Sequence, residues 1–289
     1  MTDFIKLHQS HFNFKQFIAA AFKEDVGDGD HTSLSTIPKN HHGKMHLLVK
    51  EDGILAGVEA AKRIFKELDK NFKLKFFLQD GTTVKKGDIV FIVEGNTQKL
   101  LMAERLVLNI MQRMSGIATK TNYLQTLCKG TKATVIDTRK TTPGFRFFEK
   151  WAVLIGGGSN HRYGLFDMIL IKDNHIDFAG GIIPAIDAAN KYLKTKRKKL
   201  PIEVETRNIE DVKQVIKHGA VQRIMLDNYS PKQCQTAVKL INGKFEVEAS
   251  GGITEKNISA YAKTGVDFIS IGALTHHVKG LDLSLKAMK

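Results

Sequence analysis

RIMLDNYSPKQCQTAVKLINGKFEVEASGG, residues 223–252, reads as strand, capped helix and strand in turn, and this reading decides the fold. RIMLDN (223–228) and FEVEASGG (245–252) are short β-like runs. Between them Ser230 is placed as an N-cap, Pro231 as the first helical residue and Gln233 as the capping-box partner. Cys234, Ala237, Val238 and Ile241 then fall at offsets 0, 3, 4 and 7, one face of a helix. Outward from this unit the pattern repeats. ATVIDTRK (133–140), DMILIKD (167–173), IEVET (202–206) and DFISIGA (267–273) are further β-like runs at intervals of about 20 to 35 residues, and Thr254 precedes another stripe of Ile258, Tyr261, Ala262 and Gly265. Alternating strand and helix units with near-continuously apolar strands imply a parallel sheet, open or closed, covered on both faces.

In a parallel α/β barrel all strand carboxyl ends share one rim, and that rim carries the chemistry. In chain order these ends present Asp137-Thr138-Arg139-Lys140, Lys172-Asp173, Glu205, Asp227, Ser250-Gly251-Gly252 and Gly272-Ala273, with His161 and Arg162 nearby on GGGSNHR (156–162). Several cations in one concavity repel each other unless a multiply charged anion fills it. The two carboxylates among them, Glu205 and Asp227, suit Mg²⁺ held through few protein ligands and several waters. Glycines at the last two strand ends let backbone N–H groups approach the oxygens of a terminal phosphate. The plainer alternative is a ring of salt bridges across the barrel mouth. Gly156-Gly157-Gly158 lacks the GxGxxG spacing of a dinucleotide site, and neither a Walker loop nor HExxH occurs. His276-His277, beyond the last strand, is expected to start a surface helix.

The amino-terminal third reads as mixed α and β. Phe14, Phe17, Ile18, Ala21 and Phe22 form one helix stripe with Asn13 and Gln16 as a capping pair, and the turn EDVGDGDHTS (24–33) follows. The strand-like runs MHLLVKEDGILAG (45–57) and LKFFLQDGTTVKKGDIVFIVEG (74–95) flank a helix bearing Ala61, Ile64, Phe65 and Leu68. From Thr97 to about Met114 a longer helix carries Leu100, Ala103, Val107, Ile110, Met111 and Met114 on one face, while Leu101, Leu106 and Leu108 point elsewhere. Apolar residues on several faces suggest burial on more than one side, as at a subunit contact, and Arg105 lies roughly opposite the main stripe.

At 289 residues and 42% hydrophobic, the chain can build one large core or two modest ones. No stretch approaches the roughly 18 to 20 uninterrupted apolar residues of a membrane span, and MTDFIKLHQSHFNF has no basic region followed by an apolar core, so neither a membrane partner nor a secretory signal is expected. Two cysteines, Cys128 and Cys234, argue against a disulfide framework and for a reducing, cytoplasmic compartment. The balance of 44 Lys+Arg against 30 Asp+Glu, +14, favours anionic partners; part of it lies in KTKRKKL (194–200), expected as a solvated loop. Nucleic acid is not expected, since the basic residues show no aromatic interleaving, recognition-helix motif or zinc-finger spacing.

AERLVLNIMQRMSGIAT (103–119), IDTRKTTPGFR (136–146), EKWAVLIGGGSNHRYGLFDMILIKDNH (149–175), EVE, IMLDN, EASGGIT and ISIGALTHH together closely resemble the quinolinate phosphoribosyltransferases, over essentially the whole chain. Trp151 stands where the family leads one to expect tyrosine. The resemblance implies an amino-terminal α/β sandwich domain over 1–114, with 276–289 packing back on it, and an incomplete six-stranded α/β barrel over 115–275, of the type II phosphoribosyltransferase kind. It implies transfer of phosphoribosyl from phosphoribosyl pyrophosphate to quinolinate with decarboxylation, a Mg²⁺ cofactor, and a homodimer, or hexamer of dimers, with shared sites. By the same resemblance Arg105 is donated by the neighbouring subunit, and Arg139, His161 and Arg162 clamp quinolinate with Thr138 alongside. Lys140 and Lys172 serve carboxylates and pyrophosphate, Glu205 and Asp227 hold ribose hydroxyls and Mg²⁺, and Ser250, Gly251, Gly252, Gly272 and Ala273 cradle the 5′-phosphate. The catalytic set on this reading is Lys140, Lys172, Glu205 and Asp227. The rivals are a relative that ribosylates another aromatic acid and a sugar-phosphate isomerase or synthase on a similar barrel; the second leaves the surplus of cations unexplained.

Overall fold

The apolar runs become strands wherever both of their faces, or every second residue, can be covered. In the computed structural model, which describes residues 2–8 and 10–288, the strands in chain order are β1 (His42–Val49), β2 (Gly53–Ile54), β3 (Lys73–Phe76), β4 (Thr83–Val84), β5 (Ile89–Asn96), β6 (Thr134–Ile136), β7 (Ile169–Ile171), β8 (Ile202–Thr206), β9 (Arg223–Asp227), β10 (Glu246–Ser250), β11 (Phe268–Ser270) and β12 (Leu283–Ala287). The chain divides into one unit of Met1–Lys120, Thr142–Gly157 and His277–Lys289 and a second of Thr121–Thr141 and Gly158–His276.

The first unit is built on an antiparallel sheet in the order β12-β1-β5-β3. Its period is two: Met45, Leu47 and Val49 of β1 are buried while the residues between them are not. The helix Val58–Leu68 covers that face with Ala61, Ile64 and Phe65, and Phe65 meets Phe91 of β5 edge-on at 5.9 Å. Asp80 caps this helix, its carboxylate accepting from the Val58 N–H at 2.8 Å. β12, from the carboxy-terminal segment, pairs with β1 at Met45↔Ala287 through Val49↔Leu283.

Segment 142–157, which the sequence reading grouped with the barrel, belongs to this first unit. The reason is its aromatic face. Phe147, Phe148 and Trp151 of the helix Arg146–Ile155 are buried, Phe147 stacks on Phe12 at 4.3 Å, and Phe148 meets Phe14 at 5.5 Å. Glu149 is buried as well and is compensated by Arg113, whose Nε donates to it at 2.7 Å.

The helix expected to end near Met114 runs from Thr97 to Leu127, because nothing after Met114 breaks it. Leu100, Ala103, Val107, Ile110, Met111 and Met114 are all buried, as the stripe requires. Gly116 is needed for close approach rather than for flexibility: a Cβ there would lie 2.1 Å from the Lys279 carbonyl oxygen. The turn expected over 24–33 is narrower than read, since the helix Phe14–Val26 enters it and a short helix, His31–Thr36, leaves it under an Asp30 cap.

The second unit holds all six runs that define the repeat. They form one sheet, β6-β11-β10-β9-β8-β7, with every neighbouring pair parallel. β6 and β7 stand at its two ends, so the barrel is incomplete. Ser159 extends the β6 edge through a parallel bridge to Ile136. The helix Pro231–Ile241 carries the full Ser230/Gln233 capping box. Thr254, by contrast, is not an N-cap: the helix Ile258–Ala262 starts from Asn257, and the Thr254 N–H donates to the Asn257 side chain at 2.7 Å. The basic run 194–200 is half helix, with Lys194 and Lys196 in the last turn of Ile182–Lys196 and exposed to solvent, where the helix dipole favours cations. Both cysteines are free and buried. Among the described residues no helix is long and apolar enough to cross a membrane.

Candidate active site

The carboxyl ends of five of the six parallel strands, all but β8, line a cavity of about 680 Å³ within the second unit. From the β6 end come Thr138, Arg139 and Lys140, and from the β7 end Lys172. Asp137, fully buried, organises the approach to the rim: it accepts from the His161 backbone N–H at 2.9 Å and from Asn160 Nδ2 at 2.8 Å, which swings His161 and Arg162 onto the cavity wall. The Arg162 guanidinium is tied to the Met168 carbonyl at 3.2 Å. Burial and the nearby Arg139 charge lower its pKa, the signature of a cation held among cations. Neither Arg139 nor Lys140 has an ion-pair partner among the described residues. A ring of salt bridges across the mouth therefore does not describe this rim.

Beside Lys140 the wall is made of backbone. Gly251 has φ +90, and a Cβ on it would lie 2.2 Å from Asn228 Oδ1, so glycine is required at this turn. With Ser250 and Gly252 it forms one arm of the cradle, and Gly272 and Ala273 form the other. A Cβ on Gly272 would crowd Lys140 Cδ at 3.0 Å and His276 Nε2 at 3.1 Å. His276, read from sequence as part of a surface helix start, lines the cavity at the end of the short helix Ala273–His276. The signal that finds it is its place one helical turn beyond Gly272-Ala273.

Asp227 lines the cavity, with its Oδ2 accepting from Asn228 Nδ2 at 2.6 Å. Glu205 is buried behind Lys172, whose Nζ lies 3.7 Å from Glu205 Oε2. Burial raises the pKa of both carboxyls, and the Asp227 charge raises Glu205 further. Two hard oxygen donors that repel each other form a donor set that fits Mg²⁺ with few protein ligands.

The rim thus collects Thr138, Arg139, Lys140, His161, Arg162, Lys172, Asp227 and both glycine arms. Glu205 sits just behind it. Arg105 does not line it; it is an exposed residue of the helix Thr97–Leu127. Sequence reasoning missed His276 and Asn228, the buried Glu248 that also lines the cavity, and a second buried acid, Glu203, that does not. The acids follow the alternation of their strands, IEVET and FEVEAS, and no local signal separates them from exposed glutamates.

Fold and rim together define a class, the open parallel α/β barrel with an anion-receiving mouth. The chain belongs to the quinolinate phosphoribosyltransferase family: residues 30–115 match the model of its N-terminal domain and residues 117–286 that of its C-terminal domain. It is 47% identical to the chloroplastic nicotinate-nucleotide pyrophosphorylase [carboxylating] of Arabidopsis thaliana, over 95% of this chain and 83% of that one. It is 40% identical to a probable nicotinate-nucleotide pyrophosphorylase [carboxylating] of Bacillus subtilis, over 96% and 94%. The solved nicotinate-nucleotide pyrophosphorylase of Francisella tularensis superposes with a TM-score of 0.89 at 40% identity, covering 95% of this chain and 96% of that one.

Proposed function

We propose that the protein transfers the phosphoribosyl group of phosphoribosyl pyrophosphate to quinolinate with decarboxylation, giving nicotinate mononucleotide, pyrophosphate and CO2, a step toward pyridine nucleotides and NAD. The observation that carries this reading is a single cavity that gathers Arg139 and Lys140, without ion-pair partners among the described residues, together with the glycine turns at Gly251 and Gly272. That cavity complements an aromatic dianion and a phosphorylated sugar at once. Arg139 and Arg162, with Thr138, present planar forks to the quinolinate carboxylates, which suits Arg better than Lys. His161 supports this clamp from below. Lys140 and Lys172 face the remaining carboxylate and the pyrophosphate, and Ser250, Gly251, Gly252, Gly272 and Ala273 hold the 5′-phosphate.

In the first step the pyridine nitrogen forms a bond to the anomeric carbon while the carbon–oxygen bond to pyrophosphate breaks, its electron pair leaving with pyrophosphate. Positive charge builds on the ribose ring, and Glu205 and Asp227 stabilise it electrostatically while binding the ribose hydroxyls. In the second step the bond to the 2-carboxylate breaks as CO2 departs. The electron pair left on carbon is stabilised by the adjacent pyridinium nitrogen until it takes up a proton, which Lys140 or Lys172 can supply. Asp227 and Glu205 would hold Mg²⁺, which would supply charge neutralisation of the pyrophosphate.

We further infer that the protein works as a homodimer or as a hexamer of dimers, with Arg105 completing the neighbouring subunit's site, and in the cytoplasm. An exposed arginine opposite the buried stripe of a long helix, and two free buried cysteines, support these readings. Incubation with quinolinate, phosphoribosyl pyrophosphate and Mg²⁺, with nicotinate mononucleotide followed by mass and CO2 by release, tests the reaction. Product that requires all three components is expected; a folded dimer that makes none rejects quinolinate as the acceptor and directs the search to other aromatic acids.

A further inference from the structure

Asn228, the residue after β9, has a left-handed backbone with φ 56. That conformation costs any residue with a side chain, asparagine less than most, and strain of this kind persists only where surrounding contacts hold it. Arg197 and Asn242 share the conformation, but each ends a helix, where a left-handed cap is ordinary. Asn228 instead ends a strand and lines the cavity.

Its contacts reach two different parts of the site. The backbone N–H donates to the Ser250 carbonyl at 2.9 Å, which carries the β9–β10 pairing one residue past Asp227↔Ser250. The side-chain Nδ2 donates to Asp227 Oδ2 at 2.6 Å. Asp227 Oδ1 accepts no hydrogen bond from the described residues, so the amide fixes one oxygen of that carboxylate and leaves the other to a ligand. On the amide's other side, a Cβ on Gly251 would lie 2.2 Å from Asn228 Oδ1, 2.7 Å from its Cγ and 2.9 Å from its backbone nitrogen. The amide therefore fills the place that a side chain at 251 would take. Gly251 and Gly252 are both left-handed, at φ 90 and 61, and the Gly252 carbonyl accepts from Asn257 Nδ2 at 3.1 Å, so the turn is held at both of its glycines.

Glycine at 228 would adopt φ 56 without cost. It would supply neither the donor to Asp227 nor the stop against Gly251. Aspartate would keep the shape but set a second carboxylate against the first. An uncharged planar amide, donor on one side and acceptor on the other, meets both needs without adding charge beside Asp227.

We propose that Asn228 is a positioning residue for the phosphoribosyl group: one amide sets both the Asp227 carboxylate and the 250–252 turn, so that the two ends of the sugar phosphate are received at a fixed separation. The inference rests on the assignment, under the proposed function, of Asp227 to the ribose hydroxyls and of the turn to the 5′-phosphate, and deepens it. Neither group then has to be ordered by the ligand, and binding gains by that preorganisation. Quinolinate, assigned to Arg139 and Arg162, gains nothing from it.

Ribose 5-phosphate carries the hydroxyls and the phosphate without the leaving group, and its calorimetric titration beside that of quinolinate tests this. Asn228→Gly keeps the left-handed backbone and removes the amide; Asn228→Asp keeps the shape and removes the donor. Each should weaken ribose 5-phosphate about tenfold or more, as loss of a hydrogen bond to a charged group does, and change quinolinate by less than about twofold. In turnover, KM for phosphoribosyl pyrophosphate should rise by a larger factor than kcat falls. Gly251→Ala should weaken ribose 5-phosphate less in the Asn228→Gly background than in the wild type, because the two shortest clashes are then gone. Additive losses overturn the coupling through the amide. Wild-type affinity for ribose 5-phosphate in Asn228→Asp overturns the inference, and so does equal weakening of both ligands with a lowered melting temperature, the pattern of a purely structural turn residue. Should Asn228→Gly not fold, Asn228→Asp carries the test. Wild-type protein that binds quinolinate but no ribose 5-phosphate overturns the assignment of hydroxyls and phosphate together with this inference, whereas ribose 5-phosphate binding indifferent to Asn228 overturns this inference alone.

Discussion

The six-stranded sheet has a cavity at each end, about 680 Å³ at the carboxyl ends of its strands and about 670 Å³ at the amino ends, and size does not tell them apart. Charge does. At the amino end the charges, Lys244 excepted, are answered locally: Lys132 meets Asp267 at 2.6 Å, and Arg223 meets Glu246 at 3.0 Å. At the carboxyl end Arg139 and Lys140 face the cavity without ion-pair partners among the described residues, and the Arg139 charge bears on the buried Arg162, an arrangement that favours an anion in that mouth. An uncompensated like-charge cluster on a preformed concave surface marks a binding site more sharply than volume does.

The largest expected effects break the rim itself. Lys172→Ala and Arg105→Ala should each lower kcat/KM about a hundredfold or more, as loss of an electrostatic contact to the reacting groups does. In the homodimer proposed above, mixing the two defective chains should restore about a quarter of wild-type activity, because half the dimers then carry one intact site of two. No recovery would place Arg105 outside the active site and leave the rim of the second unit sufficient by itself.

Next is Arg139→Ala. Loss of a charge-assisted bidentate contact worth about 1.5 to 3 kcal/mol should weaken quinolinate roughly tenfold or more in a titration, with less change for phosphoribosyl pyrophosphate. Equal weakening of both would remove Arg139 from the carboxylate clamp. Gly251→Ala tests the glycine turn: a Cβ 2.2 Å from Asn228 Oδ1 at φ +90 should cost about 1 to 3 kcal/mol of stability and raise KM for phosphoribosyl pyrophosphate more than for quinolinate. A neutral result in both melting and kinetics would remove the cradle from the argument.

β10 runs between the two ends, and its inward residues show the gradient: Glu246 exposed, Glu248 buried, Ser250 at the rim. Glu248, pushed up to about 8 by burial and Glu203, holds a proton in the folded chain that the unfolded chain, near its ordinary 4.5, releases. Its contribution to stability is therefore full below about pH 4.5 and is lost as pH rises through about 8. Melting temperature should decline across that window by a few degrees, and Glu248→Gln should flatten the decline in a calorimetric pH series. The smallest effect belongs to the amino end: Lys132→Ala removes an exposed pair worth about 1 kcal/mol or less and should leave kcat/KM unchanged. A change in kinetics there would erase the contrast between the ends.

Much of this was legible beforehand. Parallel strands are covered on both faces, so they appear as the compact apolar runs ILI, IEVET and RIMLD, and the polar residues that end them mark the rim. The Ser230 capping box was readable because its partners are three residues apart. Less legible were features that depend on distant neighbours. The grouping of 142–157 with the first unit turns on a stacking partner, Phe12, far away in sequence. His276 reaches the cavity only because the short helix after β11 folds back over Gly272.

By itself the sequence determined the βα repeat, the order of polar groups along the rim and the excess of cations, since these follow from periodicity, caps and residue type over a few adjacent positions. Only the tertiary structure decided which of those cations go unpaired, which glutamates are buried and how Asn228 meets Gly251, because pairing, desolvation and close approach are properties of groups brought together from strands far apart in the chain.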